Sequence, residues 1–255
     1  MMRLLKFLSI LLLIPQVCFA SASRDWDGAN DIAETNTAET TPTTISIMAH
    51  INPDNEGEGG FGRVVVYDNT GTGAAPTSGL AVDGTTGSCS GTNLGFSMRS
   101  DWSTTDGTWN SSCGSLVDDS WYSIAASYNG SSNTNDPTLY INGISTSIAV
   151  EVNGSGTLVT AANEVLVGNT DDTARTFDGQ INFVQIWNRS ISAVEMAEAH
   201  FRPGLIADGL IHFYSIWGDT SEKDLGTRAN DLAVTEAAVS SSGSPHVFFG
   251  NGLPL

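Results

Sequence analysis

The chain has 255 residues, 10 basic against 28 acidic side chains, a net charge of −18 and an apolar fraction of 40%. So acidic a surface excludes a phosphate-backbone reader, because those contacts are built from Lys and Arg, and it disfavours docking on anionic membrane. It suits either plain solubility in a salty exterior or the holding of divalent cations.

The first residues have the layout of a secretory leader. Arg3 and Lys6 precede the apolar run 7–14, Pro15 and Gln16 end it, and Ala20, Ser21 and Ala22 follow, so cleavage is expected after Ala20 or Ala22. The run is shorter than the roughly 20 residues that cross a bilayer. Gln16 and Val17 ahead of Cys18 are not the small residues of a lipobox, which argues against lipid attachment. No second apolar stretch follows, so no membrane insertion is expected. Loss of Arg3 and Lys6 leaves 8 basic residues against 28 acidic, a net charge of −20, with Lys223 the one lysine. Cys89 and Cys113 remain, an even pair that reads as a disulfide in an oxidising compartment, the alternative being two buried thiols.

Behind the leader, Gly, Ser, Thr, Asn and Asp interrupt the chain every eight to twelve residues, with short alternating apolar runs between them. Residues 44–51 put Ile45, Ile47, Ala49 and Ile51 on one face. Runs 63–67, 94–98, 121–128, 138–141, 164–167 and 181–187 alternate similarly. Many short strands with almost no helical period predict a β-sandwich or jelly roll. Asn142-Gly143 is the dipeptide of a tight hairpin, since both residues accept positive φ. One helix is predicted: Ser192 and Glu195 form a capping box ahead of 196–201, and Arg202-Pro203-Gly204 stops it. Leu210 to Trp217 reads as a further strand, and residues 235–246 as a loose tail.

Four blocks resemble one family, the laminin-G-like domains of the concanavalin A-like lectin and glucanase superfamily. They are Trp26-Asp27-Gly28-Ala29-Asn30-Asp31; Trp121 to Tyr128 with Leu139-Tyr140-Ile141-Asn142-Gly143; Val167-Gly168, Phe177-Asp178-Gly179-Gln180-Ile181 and 184–192; and Gly209-Leu210-Ile211 through Trp217-Gly218 with Asp224-Leu225-Gly226. The second and third blocks are the specific ones. The resemblance implies an all-β, concanavalin A-like jelly roll of two antiparallel sheets with one short C-terminal helix. The organisation expected is a leader over 1–22, the jelly roll over 23–203, and an extension over 204–255 with one or two further strands. In such relatives a structural calcium sits where the first strand meets the last, which points to Asp27 and Asn182 with carbonyls near Gly179; Asn182 stands where the family usually has Asp. Asp171-Asp172 is a second acidic pair, of a kind that in a turn is more often simply solvated.

The fold alone does not fix a function, which resides in particular residues. Glycosidases on this fold carry Glu-x-Asp-x-(x)-Glu along a strand, where alternation places the carboxyls on one face. No such run occurs; Asn52-x-Asp54-x-Glu56 runs into glycine. Gly57 to Gly62 fits GxGxxG but precedes the strand-like Arg63 to Tyr67, not a helix, so it reads as a turn. Gly87-Ser88-Cys89-Ser90-Gly91 lacks the strand-to-helix setting of a nucleophile elbow. His50, His200, His212 and His246 show no metal-ligand spacing. Trp102 and Trp109, in a polar stretch before Cys113, are the candidate sugar-stacking residues, with core packing the alternative. Asn110, Asn129, Asn153 and Asn188 begin Asn-x-Ser sequons. The reading is a secreted or cell-surface, non-catalytic binding module for carbohydrate or an extracellular protein. The alternatives are an adhesive surface protein without a small ligand, or a glycosidase with an atypical site. Edman sequencing of protein recovered from the medium is expected to begin at Ser21 or Ser23; a chain starting at Met1 there contradicts the leader assignment.

Overall fold

The computed structural model describes residues 21–68, 78–83, 89, 93–216 and 220–244. The leader falls almost wholly outside them, as do Trp217, Gly218 and His246. In chain order the strands are β1 (Ser21–Asp27), β2 (Ile32–Thr35), β3 (Glu39–Thr40), β4 (Thr44–Pro53), β5 (Arg63–Asp68), β6 (Ser78–Asp83), β7 (Gly95–Ser100), β8 (Gly107–Ser111), β9 (Tyr122–Asn129), β10 (Thr138–Ile141), β11 (Ile144–Thr146), β12 (Ile148–Val152), β13 (Ala162–Val167) and β14 (Asp178–Trp187). Helix α1 (Ala193–Phe201) follows, then β15 (Leu210–Ser215), β16 (Ser221–Glu222), β17 (Leu232–Thr235) and β18 (Ala238–Ser244).

The strands form two antiparallel sheets. The first runs β11, β10, β9, β4, β14, β1, β18, with β15 also beside β14; the second runs β12, β8, β7, β6, β5, β13, β2, β17, β16, with β3 beside β13. The expected jelly-roll sandwich is therefore present. Alternation explains the layering. On β4, Ile45, Ile47, Ala49 and Ile51 enter the core between the sheets, where they meet Val65, Leu80, Phe96, Met98, Ile181 and Ile186. Met48 faces the other way, into a second cluster with Phe183, Trp187, Met196, Leu210 and Phe213 beneath α1. Asn142 and Gly143 turn β10 into β11 at φ 52° and 75°. The capping box also forms: Ser192 Oγ accepts from Glu195 N at 3.3 Å, and Glu195 Oε2 accepts from Ser192 N at 2.7 Å. Arg189 pairs with Glu195 at 2.6 Å, and that hydrogen bond pulls the Glu195 pKa to about 2.

The C-terminal segment corrects the sequence reading. It supplies β15 to β18 rather than one or two strands, and they extend both sheets. β15 pairs with β14, β17 with β2, and Ala238–Ser244, expected as loose tail, pairs with β1. Backbone pairing at a sheet edge does not need the apolar alternation that the sequence reading relied on. Arg24 on β1 reinforces this edge, donating to the Ala237 carbonyl at 2.7 Å and pairing with Glu222 at 2.8 Å, both side chains buried.

A buried charge cluster ties the same segment down. His212 on β15 lies between Asp224, 2.8 Å from Nδ1, and Glu39 on β3, 2.5 Å from Nε2. The Tyr67 hydroxyl donates to Glu39 at 3.1 Å, and Arg228 pairs with Glu39 at 2.8 Å. Burial by itself lowers the His212 pKa, but its hydrogen bonds to Asp224 and Glu39 and their charges outweigh that, so it is raised. Burial pushes Glu39 and Asp224 up, yet the imidazolium outweighs it and both end lowered. Stabilisation from His212 is thus complete below its unfolded value of 6.5 and is lost as pH climbs through the raised folded pKa. Stabilisation from the carboxylates is complete above their unfolded values of 4.5 and 3.8 and is lost as pH falls through the depressed ones. The contribution of this cluster to stability is therefore expected to plateau between about pH 4.5 and 6.5 and to fall on either side. Glu39→Gln, which leaves the imidazolium half paired, should cost about 3 kcal/mol in chemical denaturation and blunt the alkaline decline; an unchanged alkaline limb would refute the assignment.

Candidate functional site

Cys89 and Cys113 are bonded, as expected. Of the two readings of Trp102 and Trp109, sugar stacking and core packing, their 5% and 0% exposure inside the main core matches the second. Neither offers a face to a sugar. Residues 107–111, read as loop, form β8, and Trp109 is its core-facing residue. Missing side chains make the room: a Cβ on Gly107 would stand 2.3 Å from the Trp109 ring, and one on Gly154 2.2 Å from that of Trp102. The Trp109 indole donates to Asp136 at 3.3 Å. Among the sequons Asn110 is buried, while Asn129, Asn153 and Asn188 are exposed.

The expected calcium pair does not converge. Asp27 is exposed and pairs with Asp178 at one end of the β1–β14 ladder. Arg24 pairs with Ile181, so Asn182 lies four positions further along, roughly 13 Å at the rise of a strand. Asn182 is also wholly buried, at a bulge where the β14–β4 register shifts. The first strand does meet the closing strand at Gly179, but Asp25, Asp54 and Asp178 are the carboxylates gathered there. Burial and then the Asp178 charge raise both Asp25 and Asp54. Among the described residues no three His, Cys, Asp or Glu side chains are grouped to hold a metal ion. Asp171 and Asp172 occupy a turn in which Thr170 Oγ1 donates to Asp172 at 2.8 Å.

The glycine-rich turn builds something the sequence did not announce. Gly57, Gly59 and Gly60 have φ of 75°, 64° and 79°, and the loop is fixed to residues 175–176 by Glu58 N donating to Thr176 O at 2.8 Å and Arg63 N to Arg175 O at 2.9 Å. A Cβ on Gly59 would meet Arg175 Nη1 at 1.9 Å, so glycine leaves the guanidinium its place. Phe61, half-buried, has the Arg63 and Arg175 guanidinium carbons 5.8 and 5.9 Å from its ring centre. A bulge after Arg63 turns both Val64 and Val65 into the core and leaves Arg63 on the outer face of the second sheet, beside Ala81 of β6. The ladder continues Ala81, Ser97, Asn110 across β6, β7 and β8, and the next row runs Val66, Gly79, Arg99, Thr108. The middle strand contributes Gly79, Ala81 and Asp83 to this face, all of them buried.

Buried polar atoms without partners collect here. They are Nε and Nη1 of Arg63, Nε of Arg99, Oγ of Ser97 and Oδ1 of Asn110. Arg63 is 4% exposed. Burial, followed by the Arg99 and Arg175 charges, brings its pKa down to about 9, so it stays charged at neutral pH. The Asn110 amide donates to Asp83, which orients Oδ1 as an acceptor. An unsatisfied buried donor or acceptor costs about 1–3 kcal/mol, more when charged, so this concentration on one face is expensive unless something fills it. Arg63 and Arg99 sit in strands dominated by core residues, and the sequence signal that would have found them is the sharing of one face by arginines otherwise scarce in the chain.

The Cys89–Cys113 bond anchors the strand that carries Asn110 and closes a loop of 24 residues in separation. Its removal in a Cys89→Ser, Cys113→Ser variant is expected to cost about 3–4 kcal/mol in chemical denaturation; equal stability would mean the bond constrains nothing.

A search of curated protein sequences returns no match. A Bacteroides ovatus structure described provisionally as a carbohydrate binding protein aligns with TM-score 0.62 at 14% identity over 87% of this chain, which spans 60% of that one. The heptameric SAP-like pentraxin of Limulus polyphemus aligns with TM-score 0.58 at 12% identity, covering 88% of this chain and 98% of that one. Mouse laminin α1 domains LG4-5 align with TM-score 0.46 at 12% identity over 68% of this chain and 44% of that one. At such identities the likeness speaks for the fold. A family profile, Laminin_G_3 of the concanavalin A-like lectin/glucanases superfamily, matches residues 27–197. The chain therefore belongs to the laminin-G-like branch of the concanavalin A-like lectin and glucanase superfamily.

Proposed function

We propose that this protein is a secreted, non-catalytic binding module that recognises carbohydrate on an extracellular surface. The observation that carries the reading is the outer face of the second sheet, where Arg63, Ser97, Arg99 and Asn110 hold buried donors and an acceptor that nothing among the described residues satisfies. A polyhydroxylated ligand supplies both kinds of partner at once. The half-buried Phe61 ring at the rim adds a surface of the sort that sugars stack on. The disulfide accords with an oxidising exterior.

A glycosidase reading is less favoured. The carboxyls that most resemble a catalytic pair are Asp101 and Asp106, with Asp101 raised to about 6 by burial and by the charge and hydrogen bond of Asp106. Hydrogen-bonded carboxyls stand roughly 3 Å apart, whereas retaining and inverting enzymes need about 5–5.5 Å or 6.5–9.5 Å to admit a sugar or a water. An adhesive protein without a small ligand remains the second reading, suited to the exposed Ile144, Val194 and Phe201 on β11 and α1.

A glycan array separates these readings. Saturable binding to a subset of glycans, with no turnover of β-glucan, agar or carrageenan, is the expected result. Empty arrays favour the adhesive reading, and turnover abolished by one Asp or Glu substitution favours the glycosidase.

A further inference from the structure

We propose that the outer face of the first sheet, beside α1, seats a saccharide that carries free amines. This rests on the carbohydrate-binding reading and adds a second face to it, with its own class of sugar. Strand alternation builds the face. Ile45, Ile47, Ala49 and Ile51 of β4 enter the core, so His50, Asn52 and Asp54 point outward. The ladders set Asn52 opposite Gln180 of β14, and Gln180 opposite Asp25 of β1. On the other side β4 and β9 pair as far as Ile51 and Tyr122, and Trp121 stands one step further, abreast of Asn52. Trp121, Asn52, Gln180 and Asp25 thus form one row across four strands, roughly 14 Å long at the strand spacing, and all four are only half-buried. One end of the row is a platform. The Trp121 ring stacks on His50 at 4.7 Å and 23°, and His50 stacks on Phe183 at 5.3 Å and 16°. His50 is 2% exposed, so Trp121 ends the stack and its far face is the one left to a ligand. An indole face takes both apolar ring surface and cations.

The rest of the row is short of donors and of positive charge. Asn52 Oδ1 is buried with no partner among the described residues. Burial and then the Asp178 charge raise both Asp25 and Asp54, as befits carboxyls crowded together. No basic side chain answers them: among the described residues Asp25, Asp54 and Asp178 form no ion pair. A protonated amine fits this setting, since it brings three donors, no acceptor and the missing charge. A hydroxyl satisfies Asn52 but offsets no carboxylate, and an acidic sugar is repelled. The net charge of −18 favours the approach of a cation as well. The row takes more than one ring, so a sugar stacked on Trp121 leaves its neighbour with an amine over Asp25 and Asp54.

Calorimetric titration at mildly acidic pH, where sugar amines are protonated, tests the inference with four probes: tetraglucosamine, tetra-N-acetylglucosamine, cellotetraose and tetralysine. The three sugars share one backbone and differ only in the substituent at C2. Tetraglucosamine is expected to bind about tenfold or more tightly than each of the others, as one charge-assisted contact on a stacked ring provides. Asp25→Asn and Asp54→Asn should each weaken it about fivefold with no loss of melting temperature, because each removes a crowded charge. Asp208→Asn, at the far end of β14 beside Arg189, should leave it unchanged. Trp121→Ala should abolish it, and the two Asp variants carry the test even if Trp121→Ala fails to fold. Equal affinity for tetraglucosamine and its N-acetyl form, or full binding by both Asp variants, overturns the inference. Full binding by a folded Trp121→Ala, or by tetralysine, overturns it too, since either leaves only the attraction of a polycation to an acidic surface. In each of these cases neutral saccharides bound on the glycan array keep the carbohydrate reading. An array and a titration that are both empty remove that reading and this one together.

Discussion

His212 is the buried charge on which the closure of the sandwich depends. It lies wholly inside the protein with a carboxylate on each ring nitrogen, Asp224 from the C-terminal segment and Glu39 from near the start. Three buried ionisable groups so arranged are tolerable only because each satisfies another; one alone would carry an uncompensated desolvation cost. The cluster therefore works as a specification: residues beyond α1 must return to β3 and β5 for any of the three to be satisfied. Tyr67 and Arg228 add hydrogen bonds to the same Glu39 carboxylate, so five side chains from distant parts of the chain agree on one position. With that position fixed, β17 and β18 fall beside β2 and β1 and extend both sheets.

The two outer faces of the sandwich are used differently. The first sheet is covered by α1, which rests on Met48, Phe183 and Trp187, and whose His200 bonds Ser123 Oγ at 2.8 Å. Gly143 lets the helix approach the hairpin, since a Cβ there would stand 2.9 Å from the Ala197 Cα. Among the described residues the second sheet carries little apolar surface on its outside, chiefly Ile32, Val66 and Leu166, and beside them Arg63, Ser97, Arg99 and Asn110 with unmatched polar atoms. Packing thus places apolar side chains on one outer face and chiefly polar ones on the other.

Much of the fold was legible in the residues. Period-two alternation at Ile45, Ile47, Ala49 and Ile51, the Asn142-Gly143 turn and the Ser192–Glu195 box each depend on neighbours in sequence, and each is found where expected. The site was not legible. Trp102 and Trp109 stand among polar residues and so suggested exposure, but Gly107 and Gly154 let the rings sink into the core. Asp27 and Asn182 were paired by family pattern, and ladder register set them apart. Short strands such as β16, and β18 with its run of serines, carry no periodicity, because backbone pairing alone holds them.

The sequence by itself determined the class of fold, the disulfide pair, the hairpin and the capped helix, since local sterics, alternation and cysteine parity act within a few residues or by count. Tertiary structure decided which polar groups share a face. Arg63, Arg99 and Arg175 are 36 and 76 residues apart along the chain, and only the bulge at Val64, the β5–β6–β7 register and the glycine turn at 57–62 bring them together. Convergence of that kind is a property of strand register, and a one-residue shift of register would turn Arg99 into the core and separate the three arginines.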